Sequence, residues 1–186
     1  CDLNRKYTPK GVERIESVLA LVTGDEHIAV ADKSVMDATY KGADSIVSVL
    51  LPQQIIRPDV LDFFARNHHH ADPLQNFVKF IEGTDDVRAE IEATLSFVQE
   101  TTPEDSKSYI VASNHNEALD RWLREADVKK DPRNAQFYHE MQALLYRIAE
   151  ETKDHRINAL EVYAKEQFHI NEEKVEFLER NKSHFI

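Results

Sequence analysis

Three short clusters in this chain carry side chains able to hold metal ions: Thr23-Gly24-Asp25-Glu26-His27, Pro58-Asp59-Val60-Leu61-Asp62 and Ser113-Asn114-His115-Asn116. Carboxylates, imidazoles and an amide oxygen form a hard-to-borderline donor set. Such a set suits manganese, magnesium, iron or zinc better than a thiolate-seeking metal. Each cluster also has a plainer reading. Gly-Asp-x-His is a common turn, and Asp59 after Pro58 or Asn114 alone could simply cap a helix. A fourth polar stretch, from Phe63 to His70, contains Arg66, whose guanidinium could meet a phosphate, and His69, a candidate substrate contact. The alternative for that stretch is an exposed turn ahead of a helix opening at Asp72-Pro73.

The clusters gain weight from what precedes them. Residues 17–23 are a short, nearly continuous apolar run stopped by Gly24, which predicts a buried strand. Residues 53–57, bounded by Pro52 and Pro58, predict a second strand, and residues 108–112 a third. Helices are expected over residues 28–40 and 43–51. Two more are expected over residues 72–100, parted near Gly83-Thr84-Asp85 with Thr84 or Asp85 as the N-cap. Further helices are expected from about Asn116, from Asp131-Pro132 and from about His155, then a last strand over 174–178. Short strands alternating with helices argue for an α/β layered sheet flanked by helices, in which residues 131–168 form a helical insertion. In such sheets, sites form beyond the carboxyl ends of the strands, where all three clusters fall.

In that order and context the clusters resemble the motifs of the calcineurin-like metallophosphoesterases. Gly24-Asp25-Glu26-His27 is similar to their Gly-Asp-x-His. Pro58-Asp59-Val60-Leu61-Asp62 is similar to Gly-Asp-x-x-Asp with proline for glycine. Ser113-Asn114-His115-Asn116 is similar to Gly-Asn-His-acid, with serine for glycine and asparagine for the acid. The resemblance covers roughly residues 17–120 and implies a metallophosphoesterase-type sheet with two divalent ions, manganese foremost. It implies Asp25 and His27 on the first metal, Asp59 bridging both, Asn114 on the second, and His115 as catalytic proton donor or transition-state stabiliser. A cation pair of this kind lowers the pKa of a water between the ions and takes up charge on the phosphoryl oxygens. The family's later histidines, including a Gly-His-x-His motif, have no counterpart after Asn114. His139, His155 and His169 fall in helical stretches and His184 near the end, so the completing ligands are expected beyond Ile186. A finer resemblance, to phage members of this superfamily, rests on the three motifs, the Asp59–His70 run and the Glu117–Leu123 stretch. It implies a role in host DNA degradation.

Composition sets the outer bounds. The 186 residues are 41% hydrophobic and 31% charged, enough for one domain with a core, here read as part of a longer one (residues 1–186). Net charge is −11, which counts against a DNA-coating protein but not against a nuclease whose site holds two cations. A single cysteine, Cys1, excludes an internal disulfide framework and points to a reducing compartment, the cytoplasm. No apolar run approaches the length of a membrane span. Leu119, Trp122 and Leu123 recur at helical spacing and read as core. Phe137, Met141, Leu144, Leu145 and Ile148 form a second stripe, read as core with a homo-oligomer interface as the alternative. The expected activity is that of a metal-dependent phosphoesterase acting on DNA or another phosphodiester. A phosphatase for a small phosphoester, or an interaction module that keeps only the fold, is the alternative.

Overall fold

The computed structural model describes the backbone of residues 5–8 and 11–14, and residues 18–66 and 72–178 in full. Strands β1 (Arg5–Thr8) and β2 (Gly11–Arg14) form an antiparallel hairpin. The remaining strands are β3 (Ala20–Val22), β4 (Gln54–Arg57), β5 (Lys107–Val111) and β6 (Val175–Leu178), parallel and in chain order across one sheet. Between β3 and β4 lie α1 (Lys33–Tyr40) and α2 (Ile46–Leu50). Between β4 and β5 lie α3 (Pro73–Glu82) and α4 (Val87–Glu100). Between β5 and β6 the chain builds α5 (Ala118–Glu125), a 3-10 turn at Val128–Lys130, α6 (Ala135–Thr152) and α7 (Ala159–Glu166). The α/β layered class read from the sequence is the one observed.

Register explains which sheet face is covered. Leu21, Ile55, Ser108 and Val175 pair across the four strands and so share one face, one residue out of phase with Val22, Ile56, Tyr109 and Glu176. Ile55 is fully buried with Tyr40 and Val47 against Leu21, Met36 and Phe97, while Ile110 and Val175 join the large core built by α4 to α7. Parallel crossovers are right-handed as a rule, and with the strands in sequential order that rule puts every connection on one side of the sheet. On the opposite face Val22 and Glu176 are exposed.

Helix ends follow local chemistry. Asp32 and Asp72 accept from the second and third amides of α1 and α3, and Pro73 begins α3. The cap of α4 is Asp86, not Thr84 or Asp85, because Asp85 is buried in ion pairs with Arg133 (2.8 Å) and Arg66 (3.7 Å). Gly83 closes α3 at φ 73°, a left-handed position suited to glycine. Within residues 131–168, Phe137, Met141 and Leu144 of α6 are buried in the main core, with Leu145 and Ile148 packed against it. Leu119, Trp122 and Leu123 of α5 lie in the same core.

Candidate metal centre

The ends of β3, β4 and β5 lie side by side, and the chain continues their ladder past the strands. Thr23 donates its amide to Ile56 (3.0 Å), His27 to Asp59 (2.9 Å) and Ile28 to Val60 (3.1 Å). This stitching brings His27, Asp62 and His115 together, with one ligand atom from each within 4.8 Å of the others. His27 Nδ1 lies 2.6 Å from Asp62 Oδ1, and His115 Nδ1 lies 4.0 Å from the same oxygen. The two rings meet edge to face, centroids 4.3 Å apart. Both imidazoles are about three-quarters buried and Asp62 more so (side-chain exposures 23%, 26% and 7%). Three such donors on neighbouring loops could share a cation once the hydrogen-bonded His27–Asp62 pair opens.

Asp59 adds a second feature. Its Oδ1 is buried and has no hydrogen-bond partner among the described residues. A buried carboxylate oxygen without a donor is costly, and a cation relieves that cost. The donor chemistry and this oxygen both fit a divalent ion.

Backbone strain is concentrated here. His27 (φ 41°), Asp59 (φ 46°) and Phe63 (φ 59°) occupy the left-handed region without being glycine. Each such residue costs on the order of 1–3 kcal/mol and persists only where its surroundings over-determine it. The surroundings can be named. The Asn116 amide, 1% exposed, accepts from Leu61 N (3.1 Å) and donates to Val111 O (2.8 Å), tying the Asp59–Asp62 loop to the end of β5. Glu90 of α4 accepts the amides of Phe64 (2.7 Å) and Ala65 (2.8 Å). Burial raises the Glu90 pKa above the ordinary carboxylate range. The Lys79 ammonium donates to the Phe64 carbonyl and sits over that ring, and burial lowers its pKa. Phe63 packs against Trp122, centroids 6.0 Å apart.

The sequence-derived residues divide as follows. His27 and His115 are in the cluster, and Asp59 is joined to His27 through the backbone. Asp25 is exposed and lines a groove with Val22, Val35 and Met36; Asn114 is exposed beside His115. Arg66 is engaged elsewhere: its Nε and Nη2 donate to Asp131 at 2.5 and 2.6 Å, and Asp85 lies nearby. Burial disfavours the Arg66 charge, but Asp131 and then Asp85 outweigh it and hold the pKa above its usual value. His69 and His184 lie outside the described residues. Asp62 was visible as the last residue of its motif, yet its place between two imidazoles was not assigned. Asn116 stood where the motif has an acid, and only the fold reveals it as a clamp. Among the described residues no helix is long and apolar enough to cross a membrane.

Comparison with known proteins gives one relation. The chain is 36% identical over 166 residues to Protein A1 of Escherichia phage T5, across 86% of this chain and 30% of that protein. It thus spans less than a third of the length of this phage relative. No family model matches the chain, and no solved structure matches it.

Proposed function

We propose that the chain carries the metal-binding edge of a metal-dependent phosphoesterase whose substrate is a DNA phosphodiester, cleaved in the host cytoplasm during phage infection. The observation that supports this most is the meeting of His27, Asp62 and His115 within 4.8 Å at the carboxyl edge of a parallel sheet. The buried oxygen of Asp59, which has no hydrogen-bond partner among the described residues and whose backbone carbonyl accepts the His27 amide, adds to it. Bound divalent cations, manganese foremost, would supply an activated water and neutralise charge on the phosphoryl oxygens. His27 and Asp59 would hold the cations, with Asp25 and Asn114, at the same strand ends, as the remaining donors that the motif resemblance assigns. Asp62 holds the His27 ring through its Nδ1 at 2.6 Å and lies 4.0 Å from Nδ1 of His115. As the P–O bond to the incoming water forms and the bond to the leaving oxygen breaks, His115 gives that oxygen its proton. DNA as the substrate rests on the resemblance to phage members of the superfamily and on the similarity to a phage protein.

The net charge of −11 favours a second reading, a phosphatase for a small phosphoester using the same residues. The full-length protein, assayed with Mn(II) on linear DNA, on bis-p-nitrophenyl phosphate and on p-nitrophenyl phosphate, separates the two. The proposal expects metal-dependent DNA cleavage that Asp59→Asn abolishes. Turnover of the monoester alone would select the phosphatase. Inertness with manganese, magnesium, iron and zinc would leave an interaction module.

A further inference from the structure

Beneath the candidate metal centre lies a buried charged network that the proposed reaction does not use directly. Glu26 stands between Asp25 and His27, yet its carboxylate turns inward. Its Oε1 accepts the hydroxyls of Thr23 (2.7 Å) and Tyr40 (2.6 Å), and its Oε2 accepts Arg57 Nη1 (3.2 Å). Arg57, fully buried, is the last residue of β4 and lies two positions before Asp59. Its guanidinium also donates to Ser108 Oγ of β5 (3.1 Å) and to Thr101 Oγ1 (2.8 Å), and it lies over the Tyr40 ring at 4.4 Å. Burial pushes the Tyr40 hydroxyl pKa up, so it remains a donor.

We infer that the Glu26–Arg57 pair is a positioning device that holds His27 and Asp59 in their left-handed conformations and so sets the metal affinity of the site. His27 directly follows Glu26 and Asp59 comes two residues after Arg57, and the His27 amide joins the two strained residues to each other. The inference rests on the metal-centre reading above. Burying two charges is expensive, and an apolar pair of similar volume can stabilise a fold equally well. Stability alone therefore gives no reason for charges here. A salt bridge does what an apolar pair cannot, fixing the relative direction of two loop entries through oriented hydrogen bonds.

That contrast supplies the test. In the triple variant Glu26→Leu/Tyr40→Phe/Arg57→Met, the hydroxyls left behind keep other partners: Thr23 the Ile56 carbonyl, Thr101 the Phe97 carbonyl, and Ser108 the Thr102 hydroxyl. Mn(II) affinity is read by EPR titration of the full-length protein, alongside circular dichroism and melting temperature. Expected is a folded variant that binds Mn(II) about 10- to 100-fold more weakly, the usual effect of losing support behind metal ligands. A folded variant with wild-type affinity would overturn the inference while leaving the metal centre standing. Should the triple variant not fold, Thr101→Val, which removes one acceptor from Arg57 and changes no charge, is read in the same way: weaker Mn(II) binding supports the pair's role, and unchanged binding refutes it. Wild-type protein that binds no Mn(II), indistinguishable from His27→Ala, would remove the metal reading and this inference together.

Discussion

Asn116 offers the sharpest test of how the site loops are held. Its buried amide bridges Leu61 N and Val111 O, so Asn116→Ala strands one donor and one acceptor in the interior. Each stranded group costs roughly 1–3 kcal/mol, so a loss of about 3 kcal/mol is expected. For a domain of this size that lowers the melting temperature by roughly 6–12 °C. Asn116→Asp is the more informative change, because it restores the acid of the related motif. It keeps the bond from Leu61 N but sets a carboxylate oxygen 2.8 Å from the Val111 carbonyl oxygen, where a donor stood. Ionised, that group is repelled; protonated, it donates. Its folded pKa is therefore raised, and the folded state holds a proton that the unfolded chain releases. The variant loses stability as pH rises from about 4 towards its raised folded pKa, and its deficit against wild type is full at neutral pH. Thermal melts of both variants between pH 4 and pH 8 measure this. Asn116→Asp as stable as wild type at pH 7, or a deficit that does not shrink towards pH 4, would refute the clamp.

Other expectations follow from the same contacts. Asp120, which accepts the amide of Ala159, is pushed by burial up to about pH 6. The folded state keeps that proton between about pH 4 and 6 while the unfolded chain loses it, so stability falls across this window as pH rises. Asp120→Asn should match wild type near pH 4 and exceed it by roughly 2 kcal/mol at pH 7 in urea titrations. Glu90→Gln turns a donor towards one of the two amides that Glu90 now accepts, costing about 1–2 kcal/mol; hydrogen exchange should be faster at Phe64 and Ala65. Arg66→Ala leaves Asp131 and Asp85 short of a partner, which should cost about 2–3 kcal/mol in thermal melts. Mn(II) affinity should be unchanged in that variant; a selective loss of substrate binding with normal stability would instead make Arg66 a phosphate contact.

The strands were legible as short β-rich runs, the first two closed by Gly24 and Pro58. Residues 53–57 between two prolines became β4 at Gln54–Arg57, and residues 108–112 became β5 at Lys107–Val111. The apolar run of residues 17–23 shrank to three paired residues, since only Ala20–Val22 face β4 in register. The hairpin of β1 and β2 carries no alternation strong enough to have announced it. At the site, position beyond a strand end was readable from the motifs, and the His27 and His115 that it puts at neighbouring strand ends do meet in the structure. The direction of each side chain was not readable. Whether Glu26 faces solvent or a buried Arg57, and whether Arg66 meets a phosphate or Asp131, depends on partners 31 and 65 residues away. Helix α3 marks the same limit from the other side. Its apolar residues recur at helical spacing, which marked the helix, yet Leu74, Phe77, Phe80 and Ile81 are all at least 60% exposed, and the side chain it buries is Lys79.

The claim on which the account turns is that one cation-binding centre forms where β3, β4 and β5 end. Crystals of the full-length protein soaked in Mn(II) and measured at the manganese absorption edge test it directly. Anomalous peaks are expected about 2.0–2.3 Å from side-chain donors of His27 and Asp59, with Asp62 and His115 lining the same pocket. Manganese bound elsewhere while this edge stays empty, or no peak at saturating concentration, would contradict it.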